Sequence, residues 1–297
     1  GLRERMATQV ERDRLALGDA ASVLRLILKI TLAVELTVAI ILTLRLRLAY
    51  DFGWGEALWH GVFHSVSAFN NAGFSTFSDS VMGFQGDVVM LGPIMLAVVI
   101  AALGFPVMQD LRAHRLVWRR YALHTKITVA ATGWLLLIGF AAHLAMEWTN
   151  PDTLGPMGVG TKLLNAAFHS VMPRTAGFNS LDVGAFRGET LVVNYALMFI
   201  GGGSAGTAGG IKITTMMVLL AIVVAEITRQ RDAAMFGRRF GARAQRQALT
   251  VATMAALIIL SATTYILSVA DLPLRDVLFE TISAFRPWAF RPGSPPI

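Results

Sequence analysis

The stretch FHSVSAFNNAGFSTF, Phe63–Phe77, lies between apolar runs long enough to cross a membrane, yet it is too short and too polar to cross one itself. Its apolar part, Ala57–Phe69, has about a dozen residues, whereas a spanning helix needs about 20. Asn70, Asn71, Ala72 and Gly73 follow directly. The pattern predicts a half-length helix that enters the membrane and then turns back.

The composition indicates an integral membrane protein. Of 297 residues, 55% are hydrophobic and only 15% are charged, and the mean hydropathy is +0.58. An ordinary soluble domain is less apolar and more highly charged. The chain has no cysteine, which excludes a disulfide framework and a Cys-based metal or redox site. The net charge of +7 would suggest nucleic acid for a soluble protein, but in a membrane protein basic residues usually report topology.

Apolar runs of spanning length occur in five places. The fourth run along the chain, Leu191–Glu226, exceeds one simple span and is divided by the small residues GGGSAGTAGG at Gly201–Gly210. It predicts a broken helix. The other four runs predict single spans and are Val23–Leu44, Val88–Met108, Leu123–Met146 and Ala248–Ala270.

Basic residues set the expected orientation. By the positive-inside rule, three arginine-rich segments are predicted to be cytoplasmic: Arg3–Arg14, Arg112–Arg120 and Arg229–Arg246. Three half-length apolar segments then enter from the outer side: Ala57–Phe69, Lys162–Met172 and Asp276–Phe285. The result is a repeating unit of span, re-entrant loop and span.

The repeat is also visible in the residues. Phe63–Val66 (FHSV) recurs as Phe168–Val171, and the triplet AGF at residues 72–74 recurs at residues 176–178, about a hundred residues later. A third copy, Phe279–Phe285, echoes the opening of the first. Equivalent half-helices in equivalent positions indicate an internally duplicated fold.

A half-length helix followed by a returning strand is suited to the passage of ions through the membrane. A half-helix can direct the negative C-terminal end of its dipole at a cation inside the membrane. The residues that follow can turn carbonyl groups inward to replace the cation's hydration shell. Gly73 and Gly177 suit this position because glycine accepts backbone conformations that other residues rarely adopt.

Three segments resemble the Trk/Ktr/HKT superfamily of potassium transporters, most closely the Ktr-type membrane subunit. They are SAFNNAGFS at Ser67–Ser75, PRTAGFNSLD at Pro173–Asp182 and GGGSAGTAGGIKITT at Gly201–Thr215. The resemblance implies an all-α integral membrane fold similar to potassium channels, in which four span, pore-loop and span repeats surround one pore.

The resemblance also implies site residues. Eight would form ion-filter strands: Asn71, Ala72, Gly73 and Phe74 in the second repeat, and Thr175, Ala176, Gly177 and Phe178 in the third. A gate loop beneath the filter would consist of Gly201, Gly202, Gly203, Ser204, Ala205, Gly206, Thr207, Ala208, Gly209, Gly210 and Lys212, the last matching a basic position of the family's broken helix.

Compared with four complete repeats, we expect this chain to be incomplete at both ends. The tail contains Arg286–Phe290 where a fourth filter with glycine would belong. The implied organisation is a cytoplasmic linker at 1–22 after a missing first repeat, a second repeat at 23–108, a basic loop at 109–122, a third repeat with a broken last helix at 123–228, a basic loop at 229–247, the start of a fourth repeat at 248–285 and an atypical tail at 286–297.

By resemblance, the expected function is uptake of potassium, and in some members sodium, by a multi-pass protein of the plasma (inner) membrane. The transported ion is the only ligand expected, with no enzyme activity and no separate cofactor. The expected partners are membrane lipid, a second copy in a homodimer and a cytoplasmic nucleotide-binding ring subunit that regulates transport. No nucleic acid is expected.

Two other functions remain open at this stage. One is a membrane enzyme with a metal held by His64, His169 and Glu280. These residues occupy equivalent positions in separate repeats and are expected in the first helical turns, near the outer surface. Such positions would not converge on one ion. The other is a non-conducting fragment of a transporter. The spacing Gly201-x-Gly203-x-x-Gly206 matches a dinucleotide fingerprint, but it lies in an apolar span without a preceding strand.

Three charged residues have structural explanations at this stage. Arg174, beside the third filter, could shape cation entry or pair with an acid such as Asp182, and the pairing is favoured because a free cation would repel the transported ion. Glu35 and Lys29 lie within the first span, where a charge costs about 2.5 to 3.5 kcal/mol, and we expect them to face protein or water.

Overall fold

The computed structural model describes residues 2–115, 117–230 and 232–285, with side chains for 23–115, 117–174, 176–230 and 232–285. The tail 286–297, including the position expected for a fourth filter, lies outside the described residues. Within them the helices are α1 Leu2–Ala49, α2 Trp54–Phe69, α3 Val88–Leu103, α4 Phe105–His114, α5 Leu123–Glu147, α6 Val159–Thr175, α7 Gly188–Phe199, α8 Ile213–Ile227, α9 Ala242–Val269 and α10 Leu274–Ala284.

The first unit consists of α1, α2 and α3. The segment predicted as a linker at 1–22 is helical from Leu2 and runs into the first span without interruption. The half-length segment predicted at Ala57–Phe69 is the helix α2, which ends at Phe69 as expected. A buried core shared by α1, α3 and α6 includes Leu42, Ile94 and Phe168.

Asp87 connects the loop after α2 to the beginning of α3. Its Oδ1 accepts hydrogen bonds from the N–H groups of Val89 and Met90 in the first turn of α3, as the side chain of an N-cap residue does. Its Oδ2 accepts from Arg45 Nε at 2.7 Å and Tyr50 OH at 3.0 Å. Burial alone would raise the pKa of Asp87, but these hydrogen bonds hold it below its ordinary value.

The second predicted span is not one helix. Within the predicted span Val88–Met108, α3 ends at Leu103 and α4 continues at an angle of 93°. Gly104 between them has φ +89°, which lies outside the helical region. Pro106 lies in the first turn of α4, where its missing N–H is tolerated, whereas it would remove a backbone hydrogen bond from the interior of one continuous helix.

The second unit consists of α5, α6, α7 and α8, and the predicted break in its last helix is present. Glu147, fully buried at the end of α5, holds the outer loops of this unit together. Its Oε1 accepts hydrogen bonds from the Arg187 N–H at 3.0 Å and the Thr190 hydroxyl. Its Oε2 accepts from Asn150 and Thr153, both at 2.6 Å. The carboxylate is therefore satisfied on both oxygens, as a buried charge requires.

The last part of the described chain differs in detail from the prediction. The basic loop predicted at 229–247 contains a short antiparallel hairpin, with strands β1 Ala234–Met235 and β2 Arg238–Arg239. The next helix, α9, starts at Ala242 rather than at Ala248. The third half-length segment is α10. Among the described residues, three helices are long and apolar enough to cross a membrane, and the bent pair α3–α4 would make a fourth.

Candidate functional site

The predicted second filter strand folds back along the helix that precedes it. The Ala72 N–H donates a hydrogen bond to Ser67 O at 2.8 Å, and Ser67 Oγ donates to Phe74 O at 2.8 Å. Asn71 and Gly73 both have positive φ, 53° and 74°. The backbone therefore leaves α2 by a tight turn instead of continuing as helix.

The predicted third filter strand has a similar course. The N–H groups of Ala176 and Gly177 donate to Met172 O at 3.0 and 3.3 Å, which closes the end of α6. Gly177 has φ +97°, the counterpart of the positive φ at Gly73, and Phe178 is fully buried. The backbone of Thr175 belongs to the last turn of α6, while its side chain lies outside the described residues.

The two segments lie side by side, although they are about a hundred residues apart in the chain. A Cβ placed on Gly73 would lie 2.0 Å from the carbonyl oxygen of Ala176. The outer loops are also joined, since the Val81 N–H donates to Asn179 O at 3.0 Å. Glycine is thus required at residue 73 both by its φ and by the approach of the neighbouring segment.

The glycine-rich run forms a closed loop between α7 and α8. The Gly201 N–H donates to Ile211 O at 2.8 Å, and the Ile213 N–H donates to Gly202 O at 2.9 Å, so that the two ends of the loop are joined. Lys212 Nζ donates to Ala208 O at 2.6 Å within the same loop. The element before the loop is a helix, so the strand that a dinucleotide fingerprint requires is not present here.

This loop packs against the bend between α3 and α4. The Gly203 N–H donates to Ala102 O at 2.7 Å. A Cβ on Gly104 would lie 2.3 Å from Ser204 O. The bend that the sequence did not predict therefore makes room for the loop.

The loop also contacts the predicted second filter strand through Thr207. Asn71 Nδ2 donates to Thr207 Oγ1, and Thr207 Oγ1 donates to Phe69 O at 3.1 Å. Phe69 is the last residue of α2, and Asn71 belongs to the predicted filter strand. Thr207 belongs to the predicted gate loop, but no spacing pattern in the sequence indicates this contact between residues so far apart.

Comparison with known proteins identifies the family. Residues 2–286 match the model of the family TrkH, described as a cation transport protein. The chain belongs to the TrkH family. The relatives include the Ktr system potassium uptake protein B of Bacillus subtilis (strain 168), 35% identical over 285 residues that make up 96% of this chain and 63% of that protein. The protein of the same description from Vibrio alginolyticus is 36% identical, over 79% of this chain and 52% of its own length.

The potassium/sodium uptake protein NtpJ of Enterococcus hirae is 33% identical over 93% of this chain and 62% of its own length. The crystal structure of the potassium transporter TrkH from Vibrio parahaemolyticus has a TM-score of 0.67 and 18% identity, covering 84% of this chain and 53% of that one. That match supports the fold. This TrkH-family chain spans less than two thirds of the length of these relatives. They are named as transport proteins rather than enzymes, as the sequence predicts.

The metal site considered for this TrkH-family chain does not form. The expectation that His64 and His169 occupy first helical turns is wrong, since both lie beyond the middle of their helices and are buried. His64 Nδ1 is hydrogen-bonded to His60 O at 2.7 Å, and His64 Nε2 is hydrogen-bonded to Ser75 Oγ at 2.9 Å. In the part of the chain that the structure describes, no three His, Cys, Asp or Glu side chains are grouped to hold a metal.

The remaining charged residues have mixed outcomes. The expected pairing of Arg174 with Asp182 is wrong: Asp182 Oδ1 accepts from the Gly184 N–H at 2.9 Å, and Nε and Nη2 of buried Arg174 have no hydrogen-bond partner among the described residues. Glu35 Oε1 accepts from Asn70 Nδ2 at 3.2 Å. Its carboxylate therefore faces protein at the end of α2, as expected.

Proposed function

We propose that this chain forms part of a potassium uptake pathway in the plasma membrane, to which it contributes two filter strands and a gate loop. The relatives are named as potassium uptake proteins, and one as a potassium/sodium uptake protein. Sodium is accordingly the second candidate ion. Residues Asn71–Phe74 and Thr175–Phe178 would supply carbonyl oxygens to the ion.

The observation that carries this proposal is the approach of Gly73 to Ala176 at the ends of two half-length helices. The C-terminal end of a helix carries about half a negative charge, so α2 and α6 would both favour a cation near this point. Carbonyl oxygens of adjacent strands can then replace the water of the ion. Glycine at both residues accommodates the positive φ of this backbone, 74° at Gly73 and 97° at Gly177.

The loop Gly201–Gly210 with Lys212 would gate the pathway. Its contacts with Phe69 and Asn71 support a position directly beside the filter, on the side of the α2 C-terminus. Glycine-rich backbone held by a few hydrogen bonds can change conformation at moderate cost. We further propose the expected assembly, a homodimer in lipid with a cytoplasmic nucleotide-binding regulatory ring.

The test is rubidium and potassium uptake by the full natural protein that carries this sequence, in cells without their own uptake systems. Gly73→Ser and Gly177→Ser should each lower the preference for potassium over sodium, because a side chain strains the positive φ of both residues and, at residue 73, also displaces the neighbouring strand. Gly133→Ser on α5 is the matched control, since a Cβ there meets nothing within 4 Å. An unchanged ion preference in both filter variants would contradict the filter assignment.

A further inference from the structure

An apolar groove runs along the outside of the bundle between α5 and α8. It has a volume of about 550 Å³, and its lining includes Ile127, Trp134, Ile138, Leu220 and Phe236. The distance along α5 from Ile127 to Ile138 is about 16 Å at 1.5 Å per residue. The hydrocarbon core of a bilayer is about 30 Å thick, so the groove matches the depth of one leaflet.

One end of the groove lies at a basic surface. Phe236, at the tip of the hairpin, packs against Trp118 with ring centroids 6.1 Å apart. Arg119 and Arg120 follow Trp118 directly, and Arg238 follows the hairpin tip, and all three are exposed. The positive-inside rule predicts that this surface is cytoplasmic.

The nearby acids do not neutralise these arginines. Asp232 forms an ion pair with Arg239 at 2.7 Å. Asp110 accepts a hydrogen bond from the Ala122 N–H and is also hydrogen-bonded to His114. Within the described residues, the ion pairs involve none of Arg119, Arg120 and Arg238. Glu226 near the end of α8 is also exposed, but its one negative charge is fewer than the three positive charges of these arginines.

We propose that this groove binds one anionic phospholipid of the cytoplasmic leaflet, such as phosphatidylglycerol. One acyl chain lies in the groove between α5 and α8, and the phosphate meets Arg119, Arg120 and Arg238. Basic residues at the cytoplasmic end of an apolar cleft between helices are the arrangement that recognises anionic headgroups. This binding does not depend on the transport function proposed above.

A second copy of the chain is the competing occupant, and the charges disfavour it. A two-fold interface places the same surface of each copy against the other. The arginines at the end of one groove would then lie close to those of the second copy. An anionic lipid satisfies both the apolar lining and the basic end.

Trp134 provides the measurement, because it lines the groove and is 65% exposed in the protein alone. The purified chain is placed in vesicles with dibrominated phosphatidylglycerol or dibrominated phosphatidylcholine of the same chain lengths. Bromine quenches tryptophan fluorescence on contact, and the difference between the native chain and Trp134→Phe isolates this residue. We expect quenching at a several-fold lower fraction of the anionic lipid. Equal quenching by the two lipids would overturn the proposal.

Two sets of variants separate the headgroup from the acyl chain. Arg119→Gln, Arg120→Gln and Arg238→Gln should each weaken the anionic preference about fivefold, whereas Arg243→Gln on α9 should not. Ala130→Phe should block the groove, whereas Ala256→Phe, which fills the apolar groove beside α7 and α10, should leave lipid binding unchanged.

Circular dichroism of each variant serves as the control that its helices are kept. The proposal fails if the anionic preference survives the three arginine changes together. It also fails if Ala130→Phe alters the oligomeric state in light scattering while lipid quenching stays the same, since a second copy would then occupy the groove.

Discussion

The hydroxyl of Thr207 joins two parts of the molecule that move relative to each other if the loop is a gate. It accepts a hydrogen bond from Asn71 and donates one to Phe69 O. Each such bond contributes about 0.5 to 1.5 kcal/mol net. Their combined contribution favours the conformation in which the loop lies against the filter.

Thr207→Val should therefore increase rubidium uptake at rest, because the valine keeps the shape of the side chain but makes neither hydrogen bond. Two lost bonds correspond to roughly a tenfold shift in favour of a displaced loop. Uptake would be measured with and without the cytoplasmic regulator. Ser204→Ala is the control, since its hydroxyl makes only a 3.4 Å contact with Thr214 near the loop. Unchanged resting uptake in Thr207→Val would contradict the closing role of this hydroxyl.

At the scale of elements, the bend between α3 and α4 determines where the loop can lie. Gly104 has φ +89° and ψ 150°, a conformation that is essentially restricted to glycine and costs a residue with a side chain about 1 to 3 kcal/mol. Ser204 O also occupies the place where a Cβ at this residue would be. The bend and the loop are therefore packed as one unit, and a change at one should disturb the other.

Gly104→Ala should lower the midpoint of thermal unfolding in detergent, through about 1 to 3 kcal/mol of backbone strain with the contact to Ser204 in addition. Gly92→Ala in α3 is the matched control, because a Cβ there meets nothing within 4 Å. Alanine in a helix interior is favoured over glycine by up to about 1 kcal/mol, so that control should be neutral or more stable. Equal midpoints for the two variants would argue against the bend as a packed unit.

At the scale of the whole molecule, the orientation in the membrane can be tested directly, because the chain has no cysteine. Gly158→Cys precedes α6 and Ala113→Cys lies in α4, and both residues are exposed. An impermeant thiol reagent should label residue 158 in intact cells and residue 113 only after permeabilisation. This outcome follows from basic segments on the cytoplasmic side. Labelling of residue 113 in intact cells would reverse the orientation.

Much of the fold could be predicted because it depends on local sequence. The lengths of apolar runs indicate α1, α5 and α9, and the shorter runs indicate α2, α6 and α10. The break before α8 follows from a run of small residues. The bend at Gly104 was missed, since isolated glycine and proline also occur in straight membrane helices. The hairpin at 234–239 was missed because its strands are too short to produce a pattern.

The sequence by itself determined the family and the order of long and half-length helices, and it predicts the residues of the filter and loop, because these depend on hydrophobic length and on a motif repeated within the chain. Only the tertiary structure decided that Gly73 lies against Ala176, that Thr207 joins Asn71 to Phe69 and that Arg174 does not pair with Asp182. Such contacts join or separate side chains through the packing of different elements. Nothing in the local order of residues encodes them.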